Sequence, residues 1–355
     1  MSPESNQLAL RLAKQIEASG PISVAEYMRA ANAEYYNRSD PLGVEGDFIT
    51  APEISQIFGE LVGIWLTDIW LRQNTPQCHY VELGPGRGTL AADALRAMSR
   101  FDFSPSAHFV ETSNALRAKQ AQAVPQARFH DAIESLPDDL PLLIVANEFF
   151  DALPVRQLIS THSGWRERVV ARDRGAKFTP MPGAQPMDAA VPTEFRTQRN
   201  DAIYGTSPAA SEIMYELGSR LEKQGGLMLV IDYGYASPGL GSTLQAVKNH
   251  QFAEPFEHPG EHDLTAHVNF MELANLALMR NLSVHGPVGQ GSWLEALGID
   301  PRAATLADAS PDRAREIFEA RDRLVEEEQM GSLFKIMAIG APEWPVPEGF
   351  EDTIG

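Results

Sequence analysis

Residues 79–90, HYVELGPGRGTL, contain the strongest indication of how this chain folds. They predict a strand, then a glycine-rich turn, and then a helix that opens at Thr89. Because glycine has no Cβ, a turn of this kind lets a ligand approach the bare backbone N–H groups closely. The sequence therefore predicts a cofactor site at the turn, with an ordinary αβ turn as the alternative. The candidate binding residues of the turn are Gly84, Pro85, Gly86 and Gly88.

The glycine spacing and three nearby acids indicate which cofactor the turn binds. The spacing is G-x-G-x-G, whereas turns that bind dinucleotide phosphates have G-x-G-x-x-G. Glu82 precedes the first glycine and would attract the amino group of a methionine moiety but repel a pyrophosphate. Glu111 ends the next predicted strand, where an acid can accept both ribose hydroxyls of an adenosine. Asp131 follows the third strand and is either a partner of the adenine amino group or an exposed loop residue. Together these residues favour S-adenosylmethionine (SAM) over NAD.

Alternating strands and helices after Cys78 predict an α/β fold, with a parallel sheet and helices on both of its faces. The strands are predicted at His79–Glu82, Ala107–Glu111, 127–130, Leu142–Ala146, Gly226–Asp232 and Ser332–Ile339. The helices are predicted at Thr89–Met98, Ala115–Ala123, Ala209–Lys223, Phe270–Met279 and Pro311–Met330. The interval 155–204 fits neither period and predicts an inserted hairpin and loop. A long polar loop is expected after Asp232.

The first part of the chain predicts a helical extension. Its elements are helices over 4–19 and 24–31 and a loop at Tyr35–Asp47. Thr50 and Glu53 form a capping-box pattern, which predicts a helix that continues to Arg72. The residues expected to be buried on that helix are Ile57, Leu61, Ile64 and Ile69. The predicted domains are an extension at 1–77, a core at 78–340 with an insertion at 155–205, and a tail at 341–355.

Polar and aromatic residues crowd the end of the fourth predicted strand, in the stretch NEFFDALP at residues 147–154. Ligands of an open parallel sheet bind beyond the carboxyl ends of its strands. Asn147, Glu148 and Asp151 are therefore candidate catalytic residues, and Asn147 is also a candidate cofactor ligand. If the acceptor is an arginine, the two carboxylates can clamp its planar guanidinium and align one nitrogen for methyl transfer.

A second polar cluster, HDLTAHVNF, occupies residues 262–270. Within it His267 titrates in the range that a proton acceptor needs, which makes it a candidate catalytic residue. A structural role beside the start of a helix is the alternative. The nine histidines show no zinc-ligand spacing, so no metal site is predicted.

The composition of this 355-residue chain indicates which class of partner it binds. Its 48 acidic residues against 29 Lys and Arg give a formal charge of −19, so a basic protein or peptide fits better than nucleic acid. The single cysteine, Cys78, predicts a reducing compartment, and a cytoplasmic location is expected. The longest apolar runs, such as Leu140–Ala146, are too short to span a membrane, and the N-terminus does not look like a signal peptide.

Taken together, the motifs resemble the MidA family of methyltransferases over nearly the whole chain. Further stretches that carry the resemblance are GDFITAPEISQ at 46–56, VETS at 110–113, IDYG at 231–234 and QMG at 329–331. The resemblance implies a class I methyltransferase (Rossmann-like) fold, with a seven-stranded sheet whose last strand is antiparallel. It also implies that the N-terminal extension and the insertion cover the site. The residues that it adds to the SAM site are Thr50, Ser55, Gln56 and Thr112.

For mitochondrial members, the resemblance implies arginine methylation that gives a symmetrically dimethylated side chain on a subunit of respiratory complex I, whose assembly they assist. The acceptor of the present chain is then such a protein or, alternatively, a small molecule. A cofactor-binding assembly chaperone without turnover is a further alternative, and a nicotinamide oxidoreductase comes last. A homodimer is one possible assembly.

Overall fold

A computed structural model of the chain describes residues 3–38, 50–198, 201–248 and 251–350. Residues 39–49, which contain most of the predicted loop and the first part of the GDFITAPEISQ motif, lie outside the described residues. In this part of the chain the α-helices are α1 (Pro3–Ser19), α2 (Val24–Arg38), α3 (Ala51–Ile54), α4 (Gln56–Arg72), α5 (Thr89–Met98), α6 (Asn114–Ala123), α7 (Pro208–Gln224), α8 (Phe270–Leu278), α9 (Gln290–Ala296), α10 (Ile299–Ala309) and α11 (Ala314–Val325). The β-strands are β1 (Ile22–Ser23), β2 (His79–Leu83), β3 (Ser106–Val110), β4 (Arg128–His130), β5 (Leu142–Asn147), β6 (Arg156–Thr161), β7 (Gly164–Arg172), β8 (Phe178–Pro186), β9 (Ile203–Thr206), β10 (Gly226–Tyr235), β11 (Gln245–Lys248), β12 (Gln251–Ala253), β13 (Asp263–Thr265), β14 (Val268–Asn269), β15 (Ser283–Gly289) and β16 (Phe334–Gly340).

The chain forms two compact units, each of which is assembled from separate segments. Of the described residues, the first unit takes 3–38, 151–198, 201–212, 237–248 and 251–269. The second unit takes 50–150, 213–236 and 270–350. The predicted division into an extension, a core and a tail stays a prediction.

A large sheet forms the centre of the second unit. Its strands follow one another in the order β15-β16-β10-β5-β2-β3-β4. β10, β5, β2, β3 and β4 are parallel, and β16 runs antiparallel to both of its neighbours. Residues 142–146 of β5 are all fully buried, as expected of a strand that is covered on both faces. The predicted α/β fold with a large, mostly parallel sheet is confirmed.

Helices α4 and α5 pack closely together in the second unit. A Cβ added at Gly63 would lie 2.4 Å from the carbonyl oxygen of Ala94, so only glycine permits this approach. Trp65 is buried in the same core, whereas Ile64 is 41% exposed, and its predicted burial is wrong. Ile64 lies outside the apolar stripe because that stripe follows the helix face that packs on α5.

The predicted single helix from Thr50 to Arg72 is wrong, because extended backbone at Ser55 separates α3 from α4. The capping box is also absent. Thr50 occupies the N-cap position of α3 but makes no side-chain cap hydrogen bond. The carboxylate of Glu53 accepts hydrogen bonds from Thr89 and Arg87 instead.

In the first unit, two small sheets and two helices share an apolar core. One sheet has the order β1-β7-β6-β9 with β8 paired to β7, and the other has the order β12-β11-β13. Helices α1 and α2 contribute Leu8, Leu12, Tyr27 and Met28 to the core, in which Val170 of β7 is also buried. The inserted segment is therefore more ordered than a hairpin and loop, because β6, β7, β8 and β9 all pair within one sheet.

Three further sequence predictions need correction. Residues 35–38, predicted as the start of a loop, belong to α2, and the rest of the predicted loop lies outside the described residues. The long polar loop expected after Asp232 contains the sheet of β11, β12 and β13, whose strands of three or four residues are too short to show a period. The helix predicted at Pro311–Met330 is confined to Ala314–Val325, followed by a π-helical turn.

Candidate functional site

The glycine turn leaves β2 and enters α5 in the second unit. Its backbone is held by hydrogen bonds from Gly84 N to Val110 O at 2.9 Å and from Gly88 N to Pro85 O at 2.7 Å. Gly84, Gly86 and Gly88 have φ angles of 58°, 55° and 83°, in the left-handed region that other residues adopt at a cost. The strand-to-helix turn predicted from the sequence is therefore present, and its backbone conformation depends on glycine.

Glu82 lies next to this turn with its side chain inside the protein. It is 3% exposed, and the hydroxyl of Tyr80 donates a hydrogen bond to its carboxylate at 2.6 Å. Burial raises the pKa of Glu82 to about 8. A buried carboxyl of this kind ionises readily only when a cation lies beside it. The site therefore fits a ligand that carries an ammonium group, such as the methionine moiety of SAM.

Glu111 follows β3 and is oriented by two donors. Its carboxylate accepts hydrogen bonds from Ser113 N at 2.8 Å and from Gln120 Nε2 at 3.1 Å. The same Gln120 nitrogen donates to the carbonyl oxygen of Gly86 at 2.8 Å. Gln120 is fully buried and thus joins the predicted ribose acceptor to the glycine turn. Sequence reasoning missed Gln120, because a glutamine on an amphipathic helix reads as a surface residue.

The segment before α4 contributes Glu53 to the same turn. Thr89 Oγ1 donates to Glu53 Oε1 at 2.5 Å, and Arg87 Nη1 lies 3.3 Å from Glu53 Oε2. Glu53 thereby fixes the start of α5, a role that the capping-box interpretation concealed. Of the residues that the resemblance adds to the site, Ser55 caps α4 through Ile57 N, and the remaining three side chains differ in exposure. Thr50 is half-buried, whereas Gln56 and Thr112 are exposed.

Asp131 follows β4 at the edge of the sheet. Its side chain is 88% exposed, and Arg117 Nη2 lies 2.6 Å from its Oδ1. The ion pair holds the carboxylate beside the backbone of His130, whose carbonyl oxygen accepts from the same guanidinium nitrogen at 3.0 Å. The ion pair with Arg117 thus orients the Asp131 carboxylate, which remains exposed to solvent. Its contact with adenine stays a prediction.

The end of β5 carries a strained turn. Glu148 has a φ of 49°, which is uncommon for a residue with a side chain and is often found at functional sites. The next two backbone N–H groups, of Phe149 and Phe150, donate to Asp232 Oδ2 at 3.2 and 2.9 Å. Asp232 is fully buried on β10, and its carboxylate therefore holds the turn in place. Asn147 Oδ1 is buried and has no hydrogen-bond partner among the described residues.

Asp151 belongs to the first unit and is 4% exposed. Burial raises the pKa of Asp151 to about 7. Its carbonyl oxygen accepts from Ala266 N at 2.9 Å, and Asn32 on α2 donates to the next carbonyl, that of Ala152, at 3.1 Å. Asn32 also exchanges two hydrogen bonds with the backbone of Leu264, at 2.8 and 3.0 Å. No pattern in the sequence indicates that Asn32 links the backbone of Ala152 to β13.

His267 lies in the first unit, directly after Ala266. Gln245 Nε2 donates a hydrogen bond to its Nε2 at 2.8 Å, and burial lowers the pKa of His267. The lowered pKa favours the neutral imidazole, whose acceptor nitrogen is Nε2. Because Gln245 donates to this nitrogen, His267 can take up a proton there only after that hydrogen bond breaks. Nearby, the Tyr36 hydroxyl donates to Asp263 Oδ2 at 2.9 Å.

The described residues contain no group of three or more His, Cys, Asp or Glu side chains arranged to hold a metal ion. Among the helices in the same part of the chain, none has the length and apolar character needed to cross a membrane.

Comparisons with known proteins agree with the cofactor class that the turn indicates. A family model described as S-adenosyl-L-methionine-dependent methyltransferase matches residues 61–288. Protein arginine methyltransferase NDUFAF7, mitochondrial, from Mus musculus is 36% identical over 95% of this chain and 85% of its own length. The protein of the same name from Homo sapiens is 34% identical over 92% of this chain and 81% of its own length.

A solved structure has the same fold. The structure is that of a Burkholderia thailandensis protein bound to S-adenosyl-homocysteine (SAH), and it matches with a TM-score of 0.83 and 24% identity, covering 100% of this chain and 96% of that one. The expected cytoplasmic location is contradicted, because the curated relatives are named as mitochondrial proteins. A single cysteine does not distinguish one compartment from another, which is why the sequence-based expectation was wrong. From the match over residues 61–288 and the identity to curated relatives, the chain belongs to this family of SAM-dependent methyltransferases.

Proposed function

We propose that this methyltransferase acts on a guanidinium nitrogen of an arginine side chain in a protein. The single observation that carries the proposal is the strained turn at the end of β5, where Glu148 is held at a positive φ by the buried Asp232. The names of the curated relatives support the same acceptor. The formal charge of −19 also favours a basic partner.

The residues that would hold SAM lie in the second unit. Glu82 would receive the amino group, because its buried carboxyl needs a cation to ionise. Glu111, oriented by Ser113 and Gln120, would accept the ribose hydroxyls. The glycine turn would allow close approach to the backbone, and Asn147 Oδ1 remains available as an acceptor. When bound, SAM supplies an electrophilic methyl group on a sulfonium. Asp131, Thr50, Ser55, Gln56 and Thr112 complete the proposed set.

Glu148 and Asp151 are the proposed ligands of the acceptor guanidinium. An arginine side chain remains protonated at neutral pH, so carboxylates that accept its N–H groups hold it in a plane and orient one nitrogen. Only two residues, Phe149 and Phe150, separate the two acids along the chain. The methylated nitrogen must give up a proton. Asp151, with a pKa of about 7, is the proposed acceptor of that proton, and the neutral His267 is the second candidate.

The resemblance to the MidA family extends the proposal to symmetric dimethylation of an arginine on a respiratory complex I subunit. A protein that assists assembly without turnover would bind SAM at the same turn, so binding alone does not separate the two functions. Sedimentation of the purified chain tests whether it forms the homodimer named above.

The test is methyl transfer from labelled SAM to lysate proteins of a strain that lacks the gene. Wild-type protein should label an arginine that mass spectrometry identifies, and Glu148→Gln and Asp151→Asn should lose labelling while their affinity for SAH is retained. Glu194→Gln is a matched control that should keep full labelling, because Glu194 is an exposed carboxylate with no assigned role in binding or transfer. Full labelling by both acid variants, or a modified residue other than arginine, would contradict the proposal.

A further inference from the structure

Several partly buried arginines of this acidic chain form ion pairs with carboxylates. Within the described residues, ion pairs of this kind join Arg156 to Glu167, Arg220 to Glu216, Arg280 to Glu222 and Arg302 to Glu60. Two partly buried arginines of β7 have no such ion pair among the described residues: Arg166 donates instead to the carbonyl oxygens of Trp165 and Ser163, whereas Arg168 departs from both arrangements. Its guanidinium is half-buried, and among the described residues no carboxylate forms an ion pair with it.

The partners of Arg168 are neutral. Its Nη1 donates to Gln157 Oε1 at 2.7 Å, and its Cζ lies 5.5 Å from the centroid of the Phe256 ring. Gln157 is 1% exposed, and its own amide nitrogen donates to Ser242 Oγ at 2.9 Å. The buried amide and the ring therefore fix the orientation of the guanidinium without neutralising its charge.

Arg168 also shares a strand face with the core of the first unit. Val170, two residues further along β7, is fully buried among α1 and α2 residues, and alternate residues of a strand point to the same side. Burial lowers the pKa of Arg168, and no nearby acid opposes this effect. A partly desolvated charge without a counter-ion is costly, and an anion brought by a ligand would reduce that cost.

We propose that Arg168 binds a carboxylate carried by the methyl acceptor, a site that we call the acid subsite and define by Arg168, Gln157 and Phe256. A guanidinium with one N–H group engaged by Gln157 can still offer a planar pair of N–H groups to a carboxylate. The assignment of the carboxylate to the acceptor rests on the proposed function. The acid subsite would then fix the register of a bound basic peptide, because Arg168 would pair with an acidic residue that flanks the target arginine.

The location within the first unit supports this source of the anion. Ser242, which holds Gln157, is three residues before Gln245, and Gln245 donates to His267. A three-residue separation limits the distance between the Cα atoms of Ser242 and Gln245 to about 11 Å. The acid subsite is thus linked, through Ser242 and Gln245, to His267, the second candidate for the proton acceptor.

The first experiment measures the subsite without any methyl transfer. Thermal unfolding is followed with about 20 mM glutarate, a mimic of a glutamate side chain, and with neutral glutaramide at matched ionic strength. Glutarate should raise the Tm of the wild-type chain by about 2–4 °C more than glutaramide. Arg168→Gln should abolish the difference. Arg172→Gln, which alters an exposed arginine of the same strand, should preserve it.

Arg168→Lys keeps the charge but removes the fork, and it should reduce the glutarate effect by at least half. This variant keeps the proposal testable if Arg168→Gln does not fold. An equal Tm shift in Arg168→Gln and wild type, or no difference between glutarate and glutaramide in wild type, would overturn the acid subsite.

The second experiment identifies the source of the carboxylate. Calorimetric titration with SAH should give the same affinity for Arg168→Gln as for wild type, within about twofold. A loss of about tenfold or more would assign the guanidinium to the carboxylate of the cofactor and overturn the acceptor assignment. Arginine peptides in which one flanking glutamate is exchanged for glutamine should then bind wild type with different affinities but bind Arg168→Gln equally. Because both measurements read binding, they are independent of whether arginine is methylated.

Discussion

Binding of SAH should weaken steeply as the pH falls, because its amino group needs an ionised Glu82. Burial raises the pKa of this carboxyl to about 8 in the free protein. Below that pH the carboxyl must lose a proton before it can pair with an ammonium, so affinity falls by up to about tenfold per pH unit. From pH 8 to pH 6 we expect a loss of about 50-fold, equivalent to about 2.3 kcal/mol.

Calorimetric titration with SAH across this range tests the prediction. Glu82→Gln keeps the shape of the side chain but cannot ionise, so its affinity should be low and nearly independent of pH. Asp151→Asn serves as the control at another buried carboxyl with a raised pKa, and it should keep the wild-type pH dependence. A wild-type affinity that is constant between about pH 6 and pH 8, or the same slope in Glu82→Gln, would refute the reasoning.

Without ligand, the same pKa shift affects folding stability. The folded state holds the Glu82 proton more tightly than the unfolded chain, whose carboxyl has its ordinary pKa of 4.5. The contribution of Glu82 to stability is therefore fully present below that value and is lost as the pH rises through about 8. Denaturant unfolding should show that Glu82→Gln loses less stability than wild type over this window, and a larger loss in the variant would contradict the assignment.

Three further substitutions probe the groups around the turn. Gly84→Ala would place a Cβ 3.1 Å from the Phe149 ring at a φ of 58°, so SAH affinity should fall at least about tenfold by calorimetry, with a loss of about 1 kcal/mol in stability. An unchanged affinity would show that ligand does not approach this backbone. Asp232→Asn should cost about 1–3 kcal/mol in urea unfolding and lower kcat more than it raises KM for SAM, because two N–H groups lose a charged acceptor. A change in KM alone would argue against this. Gln120→Leu should weaken SAH binding by about tenfold while an analogue without ribose hydroxyls loses little, since Glu111 loses a donor. Equal losses would assign Gln120 a purely structural role.

The turn and the central strands could be predicted from sequence because local chemistry specifies them. β2, α5 and β5 follow from apolar runs and glycines within a few residues of one another, and the structure has them at or within a residue of the predicted bounds. The large parallel sheet follows from their alternation.

Contacts between distant segments could not be predicted in the same way. Glu53 looked like a helix cap, because the sequence does not show that Thr89 lies beside it. Asp232 and Gln120 matter through bonds to residues far along the chain, and neither stands in a motif with a known mechanism. The short strands β11 and β13 pair across a loop, and three or four residues are too few for a periodic pattern.

The central claim is that the glycine turn, with Glu82 and Glu111 beside it, binds a nucleoside that carries an ammonium rather than a diphosphate. Calorimetric titration of the wild-type chain with SAH and with NADH, at a pH of about 8 where Glu82 is half ionised, tests it most directly. We predict saturable heat with SAH and none with NADH. Tight binding of NADH together with no heat from SAH would contradict the account.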